Sequence, residues 1–140
     1  MFARLEHANL CVRDVDAMIR FVRTAFPEFR VRADRTDGRS RWVHVGTDDT
    51  YLALSAADVT PDVPWEPYSG LPGVNHLGFV VEDAEVLRAR MLAAGYEEST
   101  VPNSHPARKR VYFHDPEGND WEFVQYLSAD QAERNDYQHG

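Results

Sequence analysis

The chain has 140 residues, 43% apolar and 27% charged, with a net charge of −8 when histidine is neutral. That balance describes a folded globular chain with enough length for a core, not a disordered or membrane one. No run of roughly 18 apolar residues offers a membrane span, and the acidic surface argues against nucleic acid or anionic lipid as partners.

Residues 5–12 alternate apolar and polar and read as a strand. Asp14 follows as a helix N-cap, and Val15, Met18, Ile19, Val22 and Phe26 recur near helical spacing behind it. Three short strands are expected near 29–34, 40–46 and 51–56. Residues 57–73 carry Pro61, Pro64, Pro67, Gly70, Pro72 and Gly73, the composition of a linker. The same order then returns. Residues 74–81 alternate, Asp83 stands as an N-cap, and Val86, Leu87, Met91 and Ala94 follow at helical spacing until Gly95 stops them. Strands are expected near 97–101, 109–114 and 120–127, with Asp-Pro-Glu-Gly-Asn at 115–119 as a turn before the last. The tail 128–140 is polar, a short helix near 128–134 or a frayed end.

The second half is the first half written again, 69 residues on. His7 falls on His76, Asp14 on Asp83, Arg41 on Arg110 and Ala53 on Glu122. The alignment runs without a gap from the first strand to the last. The expected fold is therefore α+β: two tandem βαβββ modules, about 3–56 and 74–127, joined by the linker 57–73 within one domain of 1–140. Cys11 is the one cysteine, so no intrachain disulfide is available. The start has no basic segment leading into an apolar one, and a reducing cytoplasm is the expected location.

Two such modules with a histidine on the first strand of each, and Asp-Pro-Glu-Gly-Asn-Asp-Trp-Glu at 115–122, resemble the vicinal oxygen chelate superfamily. Its members include glyoxalase I, extradiol dioxygenases, fosfomycin-resistance proteins and bleomycin-binding proteins. The resemblance covers roughly residues 3–127. It implies a curved mixed sheet around a cavity, with helices outside and a metal within, and often a homodimer.

Strand parity can be followed without the family. Side chains alternate between faces along a strand. His7, Asn9 and Cys11 share one face against Ala8, Leu10 and Val12; His76, Gly78 and Val80 oppose Leu77, Phe79 and Val81; Glu122 and Val124 oppose Trp121 and Phe123. A carboxylate in an enclosed cavity is costly unless a cation or donor meets it. Two imidazoles and one carboxylate make a three-ligand face. His7, His76 and Glu122 are thus the expected ligands of one divalent metal, Fe2+, Zn2+, Mn2+ or Ni2+, with open positions for a small-molecule substrate.

Glyoxalase I-like members place a metal-binding glutamate where this chain has Ala53. The resemblance is therefore nearer the three-ligand pattern of extradiol dioxygenases. Those enzymes also carry a tyrosine placed like Tyr112, which implies a catalytic hydrogen-bond donor or acid/base there. The expected function is a metal-dependent enzyme acting on a small oxygen-bearing molecule, by lyase, isomerase or dioxygenase chemistry. The alternative is a metal-free protein that sequesters a compound, as bleomycin-binding members do. Tyr51 and Ser55 share the face of Ala53. Arg110 shares the parity of Tyr112 and could meet a substrate carboxylate, although surface pairing is expected of it and of Arg41. His44 and His105 are candidate proton carriers. Cys11 is expected as a small buried apolar residue, Trp42 and Trp65 as packing residues, and His114 as a solvated one.

Overall fold

The computed structural model describes residues 1–138. They form two compact units that divide between Pro64 and Trp65. Each contains a mixed sheet, of four strands in the first and three in the second, and the architecture is α+β as expected. No helix among the described residues is long and apolar enough to cross a membrane.

The first unit runs β1 (His7–Val12), α1 (Val15–Ala25), β2 (Arg30–Asp37), β3 (Ser40–Gly46) and β4 (Tyr51–Ala56). Its strands lie in the order β1-β4-β3-β2, with β1 parallel to β4 and the other pairs antiparallel. The Asp14 carboxylate accepts the Ala17 amide at 2.9 Å, satisfying one of the amides a helix start leaves open. Behind that cap Val15, Met18, Val22 and Ala25 form one stripe, and α1 lays it on β3 and β4. Met18, Phe21, Val22, Val43, Val45, Leu52 and Leu54 are fully buried there. Each such side chain contributes roughly 1.5–3 kcal/mol, so this face of the sheet cannot turn outward. The opposite face is the one left for function.

The second unit runs β5 (His76–Val80), α2 (Ala84–Ala93), β6 (Arg108–His114), β7 (Asp120–Tyr126) and the short α3 (Gln131–Arg134). The order is β5-β7-β6, so Glu122 stands on the central strand. Asp83 caps α2 through the Glu85 and Val86 amides. Leu87 and Met91 then pack over β6 and β7, where Val111, Phe113, Trp121 and Phe123 are buried. Val86, expected on the apolar stripe, is exposed instead.

One expected strand is reduced to a single bridge. Residues 97–101 pair with β6 through Glu98 opposite Phe113, with the Ser99 amide donating to the Tyr112 carbonyl at 2.8 Å and the His114 amide to the Glu97 carbonyl at 2.9 Å. The ladder then stops because a side chain intercepts it: the Tyr112 amide donates to the Thr100 hydroxyl at 2.9 Å.

The repeat also slips once. The outer pairings agree, since His7 lies opposite Tyr51 and His76 opposite Asp120, with Ala53 and Glu122 at matching places. The inner hairpins differ. His44 pairs with Ala53, whereas Tyr112 pairs with Glu122. The structural counterpart of Tyr112 is therefore His44, and that of Arg110 is Trp42, not Arg41. The cause is turn length: residues 47–50 join β3 to β4, and residues 115–119 join β6 to β7. In the longer turn Asp115 accepts the Glu117 and Asn119 amides, the Asn119 side chain and the Trp121 indole, and Gly118 takes a φ of 87°. A one-residue slip moves every side chain of a strand to the other face.

Candidate functional site

The alternation expected on the two first strands is observed. His7, Asn9 and Cys11 are exposed while Ala8, Leu10 and Val12 turn inward, and His76, Gly78 and Val80 are exposed against Leu77 and Phe79. Cys11 is accordingly open and not the buried residue expected, because it shares the face of His7.

In the second unit His76 and Glu122 come together, with Nε2 to Oε2 at 3.0 Å. Gly78 lies across from Glu122 in the sheet, and a Cβ there would meet that carboxylate in ordinary contact at 3.6 Å. Tyr112, also opposite Glu122, meets the His76 ring edge-on at a centroid distance of 5.9 Å. Burial, and then its hydrogen bond to Glu122, push the Tyr112 phenol well above its usual range, so it keeps its proton. On its other side His76 Nδ1 lies 2.8 Å from the Tyr68 hydroxyl, and that hydroxyl donates to Asp120 Oδ2 at 2.9 Å. The Ser99 hydroxyl holds Asp120 Oδ1 at 2.6 Å. Burial of the hydroxyl end and the Asp120 bond push the Tyr68 phenol up to about 12.

This network tests whether the site fits a metal. Tyr68 has one proton, and it goes to the Asp120 carboxylate, which only accepts. The Tyr68 oxygen must then accept from His76 Nδ1–H. That leaves Nε2 with its lone pair aimed at a Glu122 oxygen, an arrangement that requires a positive charge between them, either a proton or a cation. Two donors at right angles on one ion, each at about 2.1 Å, lie about 3.0 Å apart. The pair fits a divalent cation in spacing and in donor chemistry.

A cavity of about 660 Å³ opens beside the pair. Tyr68, His76, Ser99, Asn103, Arg110 and Tyr112 line it, along with His114. Arg110 lines the cavity. Arg41 pairs on the surface as expected: it bonds Asp34 at 2.8 and 3.0 Å and Asp16 at 3.0 Å. The register slip accounts for that divergence. His114 was expected in solvent, yet its ring sits 3.9 Å from Asp120 at the cavity wall. His105 carries no proton for the site: its Nδ1 accepts the Ala107 amide and its Nε2 meets the Asp136 carbonyl, so both nitrogens hold backbone.

In the first unit His7 Nδ1 is 3.0 Å from Glu6 Oε1, which again directs Nδ1–H to an acceptor and leaves Nε2 free. The ring stacks on Tyr51 at 4.7 Å and 12°. Tyr51 stacks in turn on His44 at 4.6 Å, and His44 tilts against Trp42 at 4.9 Å. The Arg32 guanidinium covers the Tyr51 ring at 4.2 Å. Burial, followed by the charges of Arg32 and His7, lowers the His44 pKa. Among the described residues no group of three or more His, Cys, Asp or Glu side chains is gathered as a metal site. The structure brings His76 and Glu122 together and places His7 in the other unit.

Sequence reading missed Tyr68, Asp120 and Ser99. Tyr68 lay in a segment read as linker, and Asp120 stood at the start of the last expected strand with no role assigned to it. The signal available was small: Asp120 sits two residues before Glu122, on the same face by alternation.

Comparison with known proteins agrees with the architecture. No curated protein matches the chain. The structure is similar to a glyoxylase/bleomycin resistance protein/dioxygenase domain from Frankia sp. EAN1pec at 21% identity, with TM-score 0.73, over 90% of this chain and 99% of that one. It is similar to a glyoxalase family protein from Enterococcus faecalis at 21% identity, with TM-score 0.71, over 88% and 98%. It is also similar to the fosfomycin resistance protein FosX from Listeria monocytogenes, solved with Mn(II) and sulfate, at 19% identity and TM-score 0.69 over 96% and 98%. Identities this low establish a shared fold. The family model for the Glyoxalase/Bleomycin resistance protein/Dioxygenase superfamily matches residues 4–123, and with most of the chain inside that match, the protein belongs to this superfamily.

Proposed function

We propose that the protein is a metal-dependent enzyme acting on a small oxygen-bearing molecule, with His76 and Glu122 as ligands of one divalent cation and His7 as the third. His7 comes from the same chain or, in a homodimer, from a second copy. The observation that carries this reading is the His76 Nε2–Glu122 Oε2 contact at 3.0 Å, where two lone pairs converge on a place for a positive charge and the spacing fits two ligands of one divalent cation. The Mn(II) in the Listeria FosX structure supports a divalent metal within the same fold.

A divalent cation bound there supplies Lewis-acid stabilisation of negative charge developing on a substrate oxygen. The chain's own residues would do the rest. Tyr112 keeps its proton, which holds Glu122, and lines the cavity, where the same single proton would turn from Glu122 to a substrate oxygen. Arg110 offers a guanidinium at the cavity wall for an anionic substrate group. A space of about 660 Å³ is the size of a small-molecule site. Ala53 provides no ligand at the position matching Glu122, which favours three protein ligands and an open side.

The test is elemental analysis after reconstitution with Fe2+, Zn2+, Mn2+ or Ni2+ in turn. About one metal per chain is expected, falling to near zero in His76→Ala and Glu122→Ala. Near-zero metal in the wild type sinks the reading. Oxygen uptake with a catechol then separates dioxygenase from isomerase or lyase chemistry. A second reading, sequestration of a planar compound without metal, draws on the adjoining Trp42, His44 and Tyr51 rings, with Arg32 over Tyr51. Thermal shift by planar aromatic compounds in chelator, with none from metals, would favour it.

A further inference from the structure

Tyr68 is held more tightly than a linker residue needs to be. Among the described residues it is the one non-glycine with a positive φ, 61°, a conformation aromatic side chains rarely adopt. Its amide donates to Asn75 Oδ1 at 2.9 Å, which ties the segment back to the start of β5. Its neighbour Trp65 lies on Gly73, where a Cβ would collide with the indole. Yet Tyr68 is 56% exposed, so core packing does not explain the strain. What the conformation achieves is the hydroxyl position, between His76 Nδ1 and Asp120 Oδ2. Asp120 is itself buried, stands directly opposite His76 in the sheet, and has its second oxygen fixed by Ser99.

From this geometry we infer that Tyr68 and Asp120 are positioning residues for His76: the Tyr68 hydroxyl relays an Asp120 hydrogen bond to Nδ1, fixing the ring and the tautomer that presents Nε2 to a metal. This rests on the reading of His76 as a ligand. Imidazole ligands are commonly oriented through the ring nitrogen that does not bind, and losing such a partner weakens metal affinity about 10–100-fold. His7 shows the simpler version, a direct contact with the exposed Glu6. At His76 a phenol is interposed, and a strained backbone holds it there. Ser99 extends the chain by one more donor, so Asp120 cannot rotate away without losing two bonds.

The test uses the full chain with Tyr68→Phe and Asp120→Asn. One readout is solvent exchange of the His76 Nδ1–H proton, seen by 15N-resolved NMR in chelator. The other is the Mn2+ dissociation constant. Slow exchange is expected in the wild type and exchange at least about 10-fold faster in Tyr68→Phe, with Mn2+ affinity reduced about 10–100-fold. Asp120→Asn should move both in the same direction by less. Exchange unchanged in Tyr68→Phe overturns the inference, whatever happens to Mn2+ binding. If the wild type binds no Mn2+, the metal reading falls and the exchange rates alone decide the relay. An unaltered thermal transition in both variants separates these effects from unfolding, and Asp120→Asn decides the matter if Tyr68→Phe does not fold.

Discussion

The two units are built to one plan and equipped differently. In each, a capped helix covers one face of a sheet, and the first strand runs parallel to the last with a histidine at its start. In the first unit that histidine leads into a stack of rings, His7 on Tyr51 on His44, beneath Arg32. In the second it meets a carboxylate, and a phenol on each side restrains the pair. Two small changes account for much of the difference. Glu122 stands where the first unit has Ala53, and one extra residue in the 115–119 turn brings Arg110 and Tyr112 onto the face of Glu122. A duplicated fold can therefore acquire a new site through one ligand and one register step, leaving the core positions as they were.

The comparison is broken most severely by removing the extra turn residue. Deleting Glu117 leaves four residues between β6 and β7, as in the first unit. If β6 follows, Val111 and Phe113 leave the core and Arg110 and Tyr112 enter it. Each lost apolar burial costs about 1.5–3 kcal/mol, and ordinary domains have only about 5–15 kcal/mol to lose. Loss of the cooperative thermal transition by near-ultraviolet circular dichroism is expected. A wild-type melt would show that the turn does not set the register.

Ala53→Glu sharpens the comparison by giving the first unit the carboxylate of the second. Ala53 is 4% exposed, opposite Asn9 and His44. An unpaired carboxylate there is costly. The variant should melt several degrees below the wild type in chelator and regain more than the wild type on adding Mn2+. Equal metal-dependent gains in both proteins would mean that position 53 does not reach the cation.

The smallest effect concerns how each helix is tied to its sheet. Arg88 grips Glu98 at 2.7 and 2.9 Å, whereas the matching residues of the first unit are the apolar Ile19 and Phe29. The Arg88 hydrogen bond holds the Glu98 carboxyl below its usual 4.5. A depressed carboxyl pKa stabilises the fold above the unfolded value, and that contribution is lost as pH falls through the folded value. Acid unfolding of the wild type should therefore steepen below about pH 4.5, and Glu98→Gln should flatten that limb slightly. Identical acid limbs would remove Glu98 from the account.

Much of this was legible in the residues themselves. Asp14 and Asp83 announce the helices because a short carboxylate before an apolar stripe has a local partner in the next amides. His7, His76 and Glu122 could be assigned to faces because strand parity is a property of the backbone. The 69-residue offset carried the parallel pairings of the outer strands correctly. It failed at β6, since an ungapped alignment cannot see that one turn has an extra residue.

From the residues alone follow the order of elements, the apolar faces, and the faces of their strands on which His76 and Glu122 stand. These follow from interactions within a few residues or from simple periodicity. Only the tertiary structure decided that Arg110 lines a cavity while Arg41 pairs on the surface. It also decided that Thr100 ends a strand, and that Tyr68 and Asp120, 52 positions apart, share one proton beside His76. Those outcomes depend on turn length and on hydrogen bonds between distant side chains, and neither leaves a periodic trace in the residues.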